Sequence, residues 1–189
     1  RIAPILRTDD LAGAVWIPGD GKANPTDLTQ SLAKGARMRG ARIFEGVKVD
    51  GVALRHGRVA GVAWSRGEER GEIACETLVN CAGQWAREFG RRAGVNVPLY
   101  AAEHFYLITE PIADLDPDLP VLRCPDDTAY LRVEAGGLMV GFFEPGSEPW
   151  MSRGIPEDVE FATLPENWDH LGDFYAQMVE RVPLLAHAG

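Results

Sequence analysis

The sequence predicts an α/β (α+β) fold, in which a first half with a helix and a β-meander is followed by a second half built on an antiparallel sheet. Three observations lead to this prediction. A helical pattern after Asn24 is followed by β-branched runs separated by the turn sequences "RHGR" and "SRGEER". The later stretch "AYLRVEAGGLMVGFF" has two strand-like runs on either side of adjacent glycines, as hairpins do. A final helical pattern ends at Pro183.

The first helix has recognisable ends. Asn24 is a good N-cap, and Pro25 stands at the first helical position, where its missing N–H costs nothing. Gly40 follows the last turn as a stop. Apolar residues recur at helical spacing and predict a buried stripe made of Leu28, Leu32 and Ala36.

The remaining elements of the first half are predicted from alternation and from turn residues. We expect a small antiparallel meander in "GVALRHGRVAGVAW" and "GEIACETLVNCAG", and a helix from Gln84 to about Ala93 that closes at Gly94. Further strands are expected at Ile43–Val49, Thr77–Cys81 and Val97–Leu99.

The second half is expected to begin with a strand at His104–Thr109. The hairpin should turn at residues 135–137, and the last helix should run from about His170 to Arg181. The helix and meander of the first half and the antiparallel second half therefore suggest parts of two domains that meet near Val97–Pro98.

Composition narrows the class of protein. The chain of 189 residues is 46% hydrophobic, with a net charge of -9 that argues against nucleic acid and against an anionic membrane as partners. No apolar run approaches the roughly 20 residues that span a bilayer. The four histidines have no zinc spacing, so no metal site is expected. Three cysteines without a C-x-x-C pair predict inert thiols, buried at Cys75 and Cys81, and a reducing, cytoplasmic location.

The stretch "LVNCAGQWA" (residues 78–86) carries the strongest sign of a ligand. An apolar run ends in Ala82 and Gly83 and then opens a helix, so that a backbone without bulky side chains could approach a ligand. A helix between parallel strands would be a dinucleotide-binding unit, but the sequence has no G-x-G-x-x-G. The residues alone therefore predict an α/β segment with a glycine turn and name no cofactor.

Five stretches resemble, in order, the flavin-dependent amine oxidoreductases of the D-amino-acid-oxidase superfamily, most of all the dimethylglycine and sarcosine dehydrogenases. They are "GAVWIPGDGKANPTDLTQSLAKGARMRGARI", "LVNCAGQWAREFGRRAGVNVPL", "EHFYLITEPI", "PVLRCPDDTAYLR" and "GGLMVGFFEP". The resemblance implies a leading segment of the substrate domain (residues 1–20), a partial Rossmann-like FAD-binding domain without the glycine fingerprint (21–97) and an antiparallel substrate-binding domain (98–189). It also implies that the glycine fingerprint lies upstream, that this chain is an internal fragment, and that FAD binds the parent protein but not this chain alone.

The resemblance also implies site residues. On the flavin side, Val49 would offer its backbone to the adenine, and Ala82 and Gly83 would pass beside the cofactor. Trp85 would lie close by, although packing alone explains it equally well. The positive end of the helix that begins at Gln84 would point to the same place.

On the amine side, the resemblance makes His104 the first catalytic candidate and Tyr130 the second, both lining the substrate cavity. His104 could either tune the protonation of the amine or hold its carboxylate. Tyr106, two residues from His104, should share its strand face, and Arg132 should share the face of Tyr130. Arg132 could bind a carboxylate bidentately, or it could be a surface residue.

Other charged residues are interpreted as structural. Glu144 and the pair Asp126–Asp127 are expected in turns at the surface, and "REFGRR" (Arg87–Arg92) is expected to be a solvated helix face.

The predicted function is thus the FAD-dependent oxidation of a secondary or tertiary amine, such as sarcosine or dimethylglycine, to an iminium. The alternative is a flavin-free remnant or assembly module that binds a partner or a small acid. Self-association into a dimer or higher species is expected. The sequence leaves open dehydrogenase or oxidase chemistry, a covalent flavin link, and an electron acceptor or folate as a further partner of the parent protein.

Overall fold

The computed structural model describes residues 2–159 and 162–189, which form two compact units. The meander unit consists of Asn24–Ala101 and Pro149–Ala162, and the four-strand unit consists of Arg1–Ala23, Ala102–Glu148 and Thr163–Gly189. Both contain antiparallel sheets with helices, so the expected mixture of helix and strand is confirmed. Within the described ranges, no helix has the length and apolar character required to cross a membrane.

The meander unit begins with helix α1 (Pro25–Met38), whose ends are those that the sequence predicts. The side chain of Asn24 accepts a hydrogen bond from the backbone N–H of Asp27 at 3.1 Å and so caps the first turn. Gly40 follows the helix with a φ of +89°, which a residue with a side chain rarely adopts.

The predicted buried stripe of α1 is wrong. Leu28 and Leu32 are 52% and 67% exposed, and Ala36 is only half-buried. The apolar spacing that favours a buried helix face is present, but α1 buries no residue within the described part of the chain. The spacing specifies which face is apolar and not whether another element covers it.

The expected meander is confirmed. Strands β1 (Lys48–Arg55), β2 (Arg58–Arg66) and β3 (Glu69–Ala74) pair antiparallel in the order β1-β2-β3. The strand predicted at Ile43–Val49 is wrong over most of its length, because β1 starts only at Lys48. Gly46, with a φ of +68°, turns the chain immediately before it.

Two other predicted strands, Thr77–Cys81 and Val97–Leu99, are not formed. Both segments contain apolar residues typical of strands, but neither has a hydrogen-bonded neighbour strand within the described residues. The helix predicted at Gln84–Ala93 is present in two parts, a 3₁₀ turn (Gly83–Trp85) and α2 (Ala86–Arg92), and Gly94 follows it with a φ of +69°.

The four-strand unit contains one antiparallel sheet in the order β4-β7-β6-β5. Its central hairpin turns as predicted, since Ala135 and Gly136 both have positive φ, at 50° and 83°. The strand expected at His104–Thr109 is shorter than predicted, and the strand at Leu122–Cys124 was not predicted. The strands are β4 (Tyr106–Ile108), β5 (Leu122–Cys124), β6 (Ala129–Glu134) and β7 (Gly137–Phe142).

The core of this unit lies between one face of the sheet and the C-terminal helix α3 (Trp168–Arg181), which is followed by a 3₁₀ segment (Pro183–His187). Side chains alternate along β6, so that every second one enters the core. The opposite face of the sheet therefore presents the intervening residues. The buried residues are Ala129, Leu131, Val133, Leu138, Val140, Phe142, Leu171, Met178, Val182 and Leu185.

Candidate amine-binding face and flavin bend

The face of the four-strand sheet that lies away from the core carries most of the candidate amine-side residues. In the ladder, Gly141 pairs with Tyr106 on one side and with Tyr130 on the other, and Tyr130 also pairs with Arg123. Paired residues of an antiparallel ladder point to the same face. Tyr106, Tyr130 and Arg123 therefore lie in one row across the sheet, and Tyr106 is 60% exposed.

Gly141 positions the phenol of Tyr130. A Cβ at Gly141 would come within 2.5 Å of Cε1 of Tyr130, so the ring lies directly over the glycine. A glycine inside a strand commonly marks such a close approach. The absence of a side chain at this position thus leaves room for the tyrosine ring over the strand.

Phe143 is the centre of an aromatic group that the sequence analysis missed. Its ring centroid is 5.3 Å from that of Tyr130 and 6.3 Å from that of His104, and the guanidinium carbon of Arg123 lies 4.6 Å from it. The structure therefore brings His104 and Tyr130 together through Phe143. We call the surface formed by His104, Tyr106, Arg123, Tyr130, Arg132 and Phe143 the aromatic face.

Glu144 holds His104, and its predicted position in a surface turn is wrong. The residue is 3% exposed, and its Oε2 lies 3.3 Å from Nδ1 of His104. The alternation that follows β7 could have revealed this. Phe142 points into the core and Phe143 away from it, so Glu144 points inward again.

Arg132 shares the face of Tyr130, as expected from the alternation along β6. Its Nη2 lies 2.9 Å from Oε2 of Glu134, two residues further along the strand. Arg132 therefore already has a carboxylate partner. Arg123, by contrast, stacks on Phe143 and has no carboxylate partner among the described residues.

The Ala82–Gly83 bend belongs to the meander unit. Gly83 has a φ of +54°, and the space where its Cβ would stand is open to at least 4 Å. Asn80 braces the bend, because its Oδ1 accepts from the N–H of Ala82 at 3.2 Å and its Nδ2 donates to the carbonyl of Ala86 at 2.9 Å. Asn80 was not predicted from the sequence as part of the site, although an Asn two residues before a bend is a known turn pattern.

Trp85 and Val49 each have a partner within the meander unit. The indole of Trp85 donates to the carbonyl of Pro156 at 2.9 Å. Nη1 of Arg92 donates to the carbonyl of Val49 at 3.2 Å, and its Nη2 contacts Glu157 at 2.5 Å. A hydrogen bond from Lys48 and a weaker contribution from Arg92 lower the pKa of Glu157.

The expected solvated face of Arg87–Arg92 is present only in part, because Arg91 and Arg92 are exposed but Arg87 and Glu88 are half-buried. Arg92 also donates to the carbonyls of Val49 and Asp50 in the first strand of the meander, and the guanidinium of Arg87 lies 4.8 Å from the ring centroid of Tyr100. Long basic side chains on a short helix can pack as well as be solvated.

Two smaller expectations are also corrected. Asp127 lies in a turn as expected but is mostly buried, and it accepts from Nε of Arg181 at 2.8 Å. Cys81 is exposed and Cys75 half-buried, so neither thiol lies in a core. Among the described residues, no group of His, Cys, Asp and Glu side chains has the arrangement of a metal site.

Comparison with known proteins identifies the family. Residues 1–188 match the FAD dependent oxidoreductase (DAO) family. The chain therefore belongs to this family of FAD-dependent oxidoreductases, and the resemblance stated above is confirmed.

Curated relatives at 34–38% identity each align with 98% of the chain. They are the mitochondrial pyruvate dehydrogenase phosphatase regulatory subunit of Mus musculus (35%), the 4-methylaminobutanoate oxidase (formaldehyde-forming) of Paenarthrobacter nicotinovorans (38%) and the mitochondrial sarcosine dehydrogenase of Mus musculus (34%). The chain spans only about a fifth of their length, at 21%, 22% and 20% respectively.

A solved structure supports the fold. The L-proline dehydrogenase from P. horikoshii aligns with 99% of the chain and with 46% of its own length, at a TM-score of 0.77 and 24% identity. At this identity the likeness concerns the fold alone.

Proposed function

We propose that the whole protein uses FAD to oxidise a small secondary or tertiary amine that also carries a carboxylate, such as an N-methylated amino acid. The observation that carries this proposal is the aromatic face, where an imidazole, a phenol and a guanidinium surround Phe143. The names of two relatives, a sarcosine dehydrogenase and a 4-methylaminobutanoate oxidase, support the same class of substrate. When bound, FAD supplies the acceptor for the hydride equivalent that leaves the carbon next to the nitrogen.

Each group on the aromatic face suits one part of such a substrate. The rings of Tyr130 and Phe143 offer a surface for N-methyl groups and, through their π faces, for a cationic nitrogen. His104 is the group that exchanges a proton with the amine, and Tyr106 lines the same face. A guanidinium provides a bidentate partner for the carboxylate.

The meander unit contributes to holding FAD in this proposal. The open space beside Gly83, the backbone of Ala82 braced by Asn80, and the segment that includes Val49 and Trp85 suit the close approach of a flat cofactor. The positive φ of Gly83 keeps the bend in place.

The proposal is tested with the complete gene product that contains these residues, purified with FAD. Anaerobic mixing with sarcosine, dimethylglycine or 4-methylaminobutanoate should bleach the flavin absorbance, and glycolate should not. His104→Gln and Tyr130→Phe should slow bleaching by about 10²-fold or more. A flavin that none of these amines reduces would overturn the proposal.

The carboxylate anchor can be assigned by a matched pair of variants. Arg132 is paired with Glu134, whereas Arg123 is fixed by Phe143 without a carboxylate partner in the described residues, so Arg123 is the better anchor. Arg123→Met should raise the KM about 10- to 100-fold, because a hydrogen bond to a charged group contributes about 1.5–3 kcal/mol. Arg132→Met should have a smaller effect. The reverse order would assign the anchor to Arg132.

A second candidate function is regulatory. One relative with 35% identity is named as a phosphatase regulatory subunit, which favours a module that binds a partner without oxidising an amine. The bleaching experiment separates the two candidates, since a regulatory module that retains FAD would not be reduced by amines.

A further inference from the structure

We infer that Glu144 is a positioning residue that keeps the neutral imidazole of His104 in its Nδ1–H tautomer and leaves Nε2 as a hydrogen-bond acceptor for the amine. The chemical role of this nitrogen rests on the proposed function. The tautomer itself rests only on the geometry around His104.

The first observation is the buried carboxylate. The side chain of Glu144 has no exposed surface, and its Oε2 lies 3.3 Å from Nδ1 of His104. An ionised carboxylate can only accept hydrogen bonds. With Glu144 ionised, the hydrogen of this contact is therefore on Nδ1.

Ser147 gives a second and independent observation. Its hydroxyl lies 3.0 Å from the backbone carbonyl of Glu144, and a carbonyl can only accept, so the single hydroxyl hydrogen is used there. The same Oγ lies 3.3 Å from Nδ1 of His104. It must act as an acceptor in this second contact, and it too requires a hydrogen on Nδ1.

The two acceptors at Nδ1 of His104 determine whether Nε2 can accept or donate a hydrogen bond. The side chain of His104 is 47% exposed, and Nε2 makes no hydrogen bond to the described residues. With the hydrogen on Nδ1, a neutral His104 presents a lone pair at Nε2. This nitrogen can accept an N–H, or take a proton, from a substrate ammonium, but it cannot donate to a carboxylate.

The inference therefore separates the two roles that the sequence leaves open for His104. The imidazole interacts with the amine end of the substrate, and the carboxylate end is left to a guanidinium of the aromatic face. A buried carboxylate that orients a histidine through one ring nitrogen is a common way to fix the function of the other.

The other titratable group that contacts Glu144 is His170, on α3. Its Nε2 lies 3.7 Å from Oε1 of Glu144, too far for a hydrogen bond, and its ring packs against Phe105 and Phe174. His170 therefore does not compete for Oε2, which remains available to His104.

The tautomer can be measured on the 189-residue chain labelled with ¹⁵N-histidine, without a cofactor. Long-range ¹H–¹⁵N spectra at a pH where the imidazole is neutral should show a protonated Nδ1 and an unprotonated Nε2 for His104. The signals are assigned by their loss in His104→Gln. A wild-type His104 with the hydrogen on Nε2 would overturn the inference, whatever the variants do.

Removing both acceptors tests whether they set the tautomer. In the double variant Glu144→Leu, Ser147→Ala, the population of His104 with a protonated Nε2 should increase. Glu148 is an exposed carboxylate in the same segment, so the control variant Glu148→Gln should leave the spectrum unchanged. An unaltered tautomer in a folded double variant would also overturn the role of Glu144.

In the complete, FAD-loaded protein the double variant should lower the limiting rate of flavin reduction by about 10²-fold and change the half-saturating amine concentration little. An unchanged rate would contradict the positioning role. If no amine reduces even the wild-type flavin, the proposed function fails, while the tautomer measurement still decides the geometry.

Discussion

The guanidinium of Arg181 donates to both carboxylate oxygens of Asp10, with Nη1 at 2.7 Å from Oδ1 and Nη2 at 3.0 Å from Oδ2. Nε of the same side chain donates to Asp127 at 2.8 Å, and Nη1 also donates to the carbonyl of Arg7 at 2.9 Å. Arg181 is the last residue of α3 and is buried. One guanidinium therefore joins the leading segment, the β5–β6 turn and the C-terminal helix of the four-strand unit.

Arg181→Met should destabilise the protein, because it removes these hydrogen bonds and leaves Asp127 mostly buried without its partner. Hydrogen bonds to charged groups contribute about 1.5–3 kcal/mol each in net terms, and losses of this order are expected in the free energy of unfolding measured in urea. Arg58→Met is the control, since Arg58 is exposed and should change stability by less than about 0.5 kcal/mol. Equal stability of the two variants would contradict the role of Arg181.

The same contact predicts that the free energy of unfolding decreases at acid pH. Hydrogen bonding to Arg181 lowers the pKa of Asp10 from 3.8 to about 2, against the opposing effect of desolvation. A lowered folded-state pKa means that the unfolded chain binds the proton first, so the contribution of Asp10 is complete above pH 3.8 and is lost as the pH falls toward 2. In Asp10→Asn, urea midpoints measured between pH 5 and 2 should fall less steeply than in the wild type. Parallel curves would refute the prediction.

Two glycines of β7 should respond differently to alanine. At Gly137 a Cβ would stand 2.6 Å from the backbone oxygen of Thr109, which cannot move away, so Gly137→Ala should cost about 1–3 kcal/mol of stability. At Gly141 the neighbour is the ring of Tyr130, which can rotate away. Gly141→Ala should therefore leave stability nearly unchanged.

The expected rotation of the Tyr130 ring in Gly141→Ala can be measured directly. The ¹⁹F resonance of fluorotyrosine at position 130 should shift in this variant, and amine-dependent flavin reduction should slow in the complete protein. Gly172→Ala is a suitable control, because the glycine lies in α3 with open space around it and alanine favours helices by up to about 1 kcal/mol. An unmoved resonance in Gly141→Ala would show that the ring does not depend on the glycine.

Local features explain which elements the sequence predicts well. The N-cap at Asn24 and the turn at Ala135–Gly136 each depend on a few neighbouring residues, and both are formed as expected. The strands expected at Thr77–Cys81 and Val97–Leu99 depended on a distant partner, which a short apolar run cannot specify.

On the aromatic face, too, local features could be predicted from the sequence and contacts between distant segments could not. Alternation alone places Tyr130 with Arg132 on one strand face, as predicted. The contacts of Phe143 with Arg123 and His104 cross three segments of the chain, so sequence spacing could not reveal them. The burial of Glu144 could have been predicted, because the alternation of side chains along β7, continued past Phe142, makes Glu144 point inward.

Gly83→Ala tests the bend itself against a glycine of similar conformation. Gly83 and Gly46 have positive φ values of 54° and 68°, and both have open space at the Cβ position, so either alanine variant should lose about 1–2 kcal/mol through backbone strain alone. Only Gly83 borders the proposed flavin contact. A Cβ there should cost a further 1–3 kcal/mol in binding, roughly five- to 150-fold in the dissociation constant of FAD for the complete apoprotein, measured by quenching of flavin fluorescence. Equal FAD affinities for Gly83→Ala and Gly46→Ala would show that the cofactor does not approach this bend.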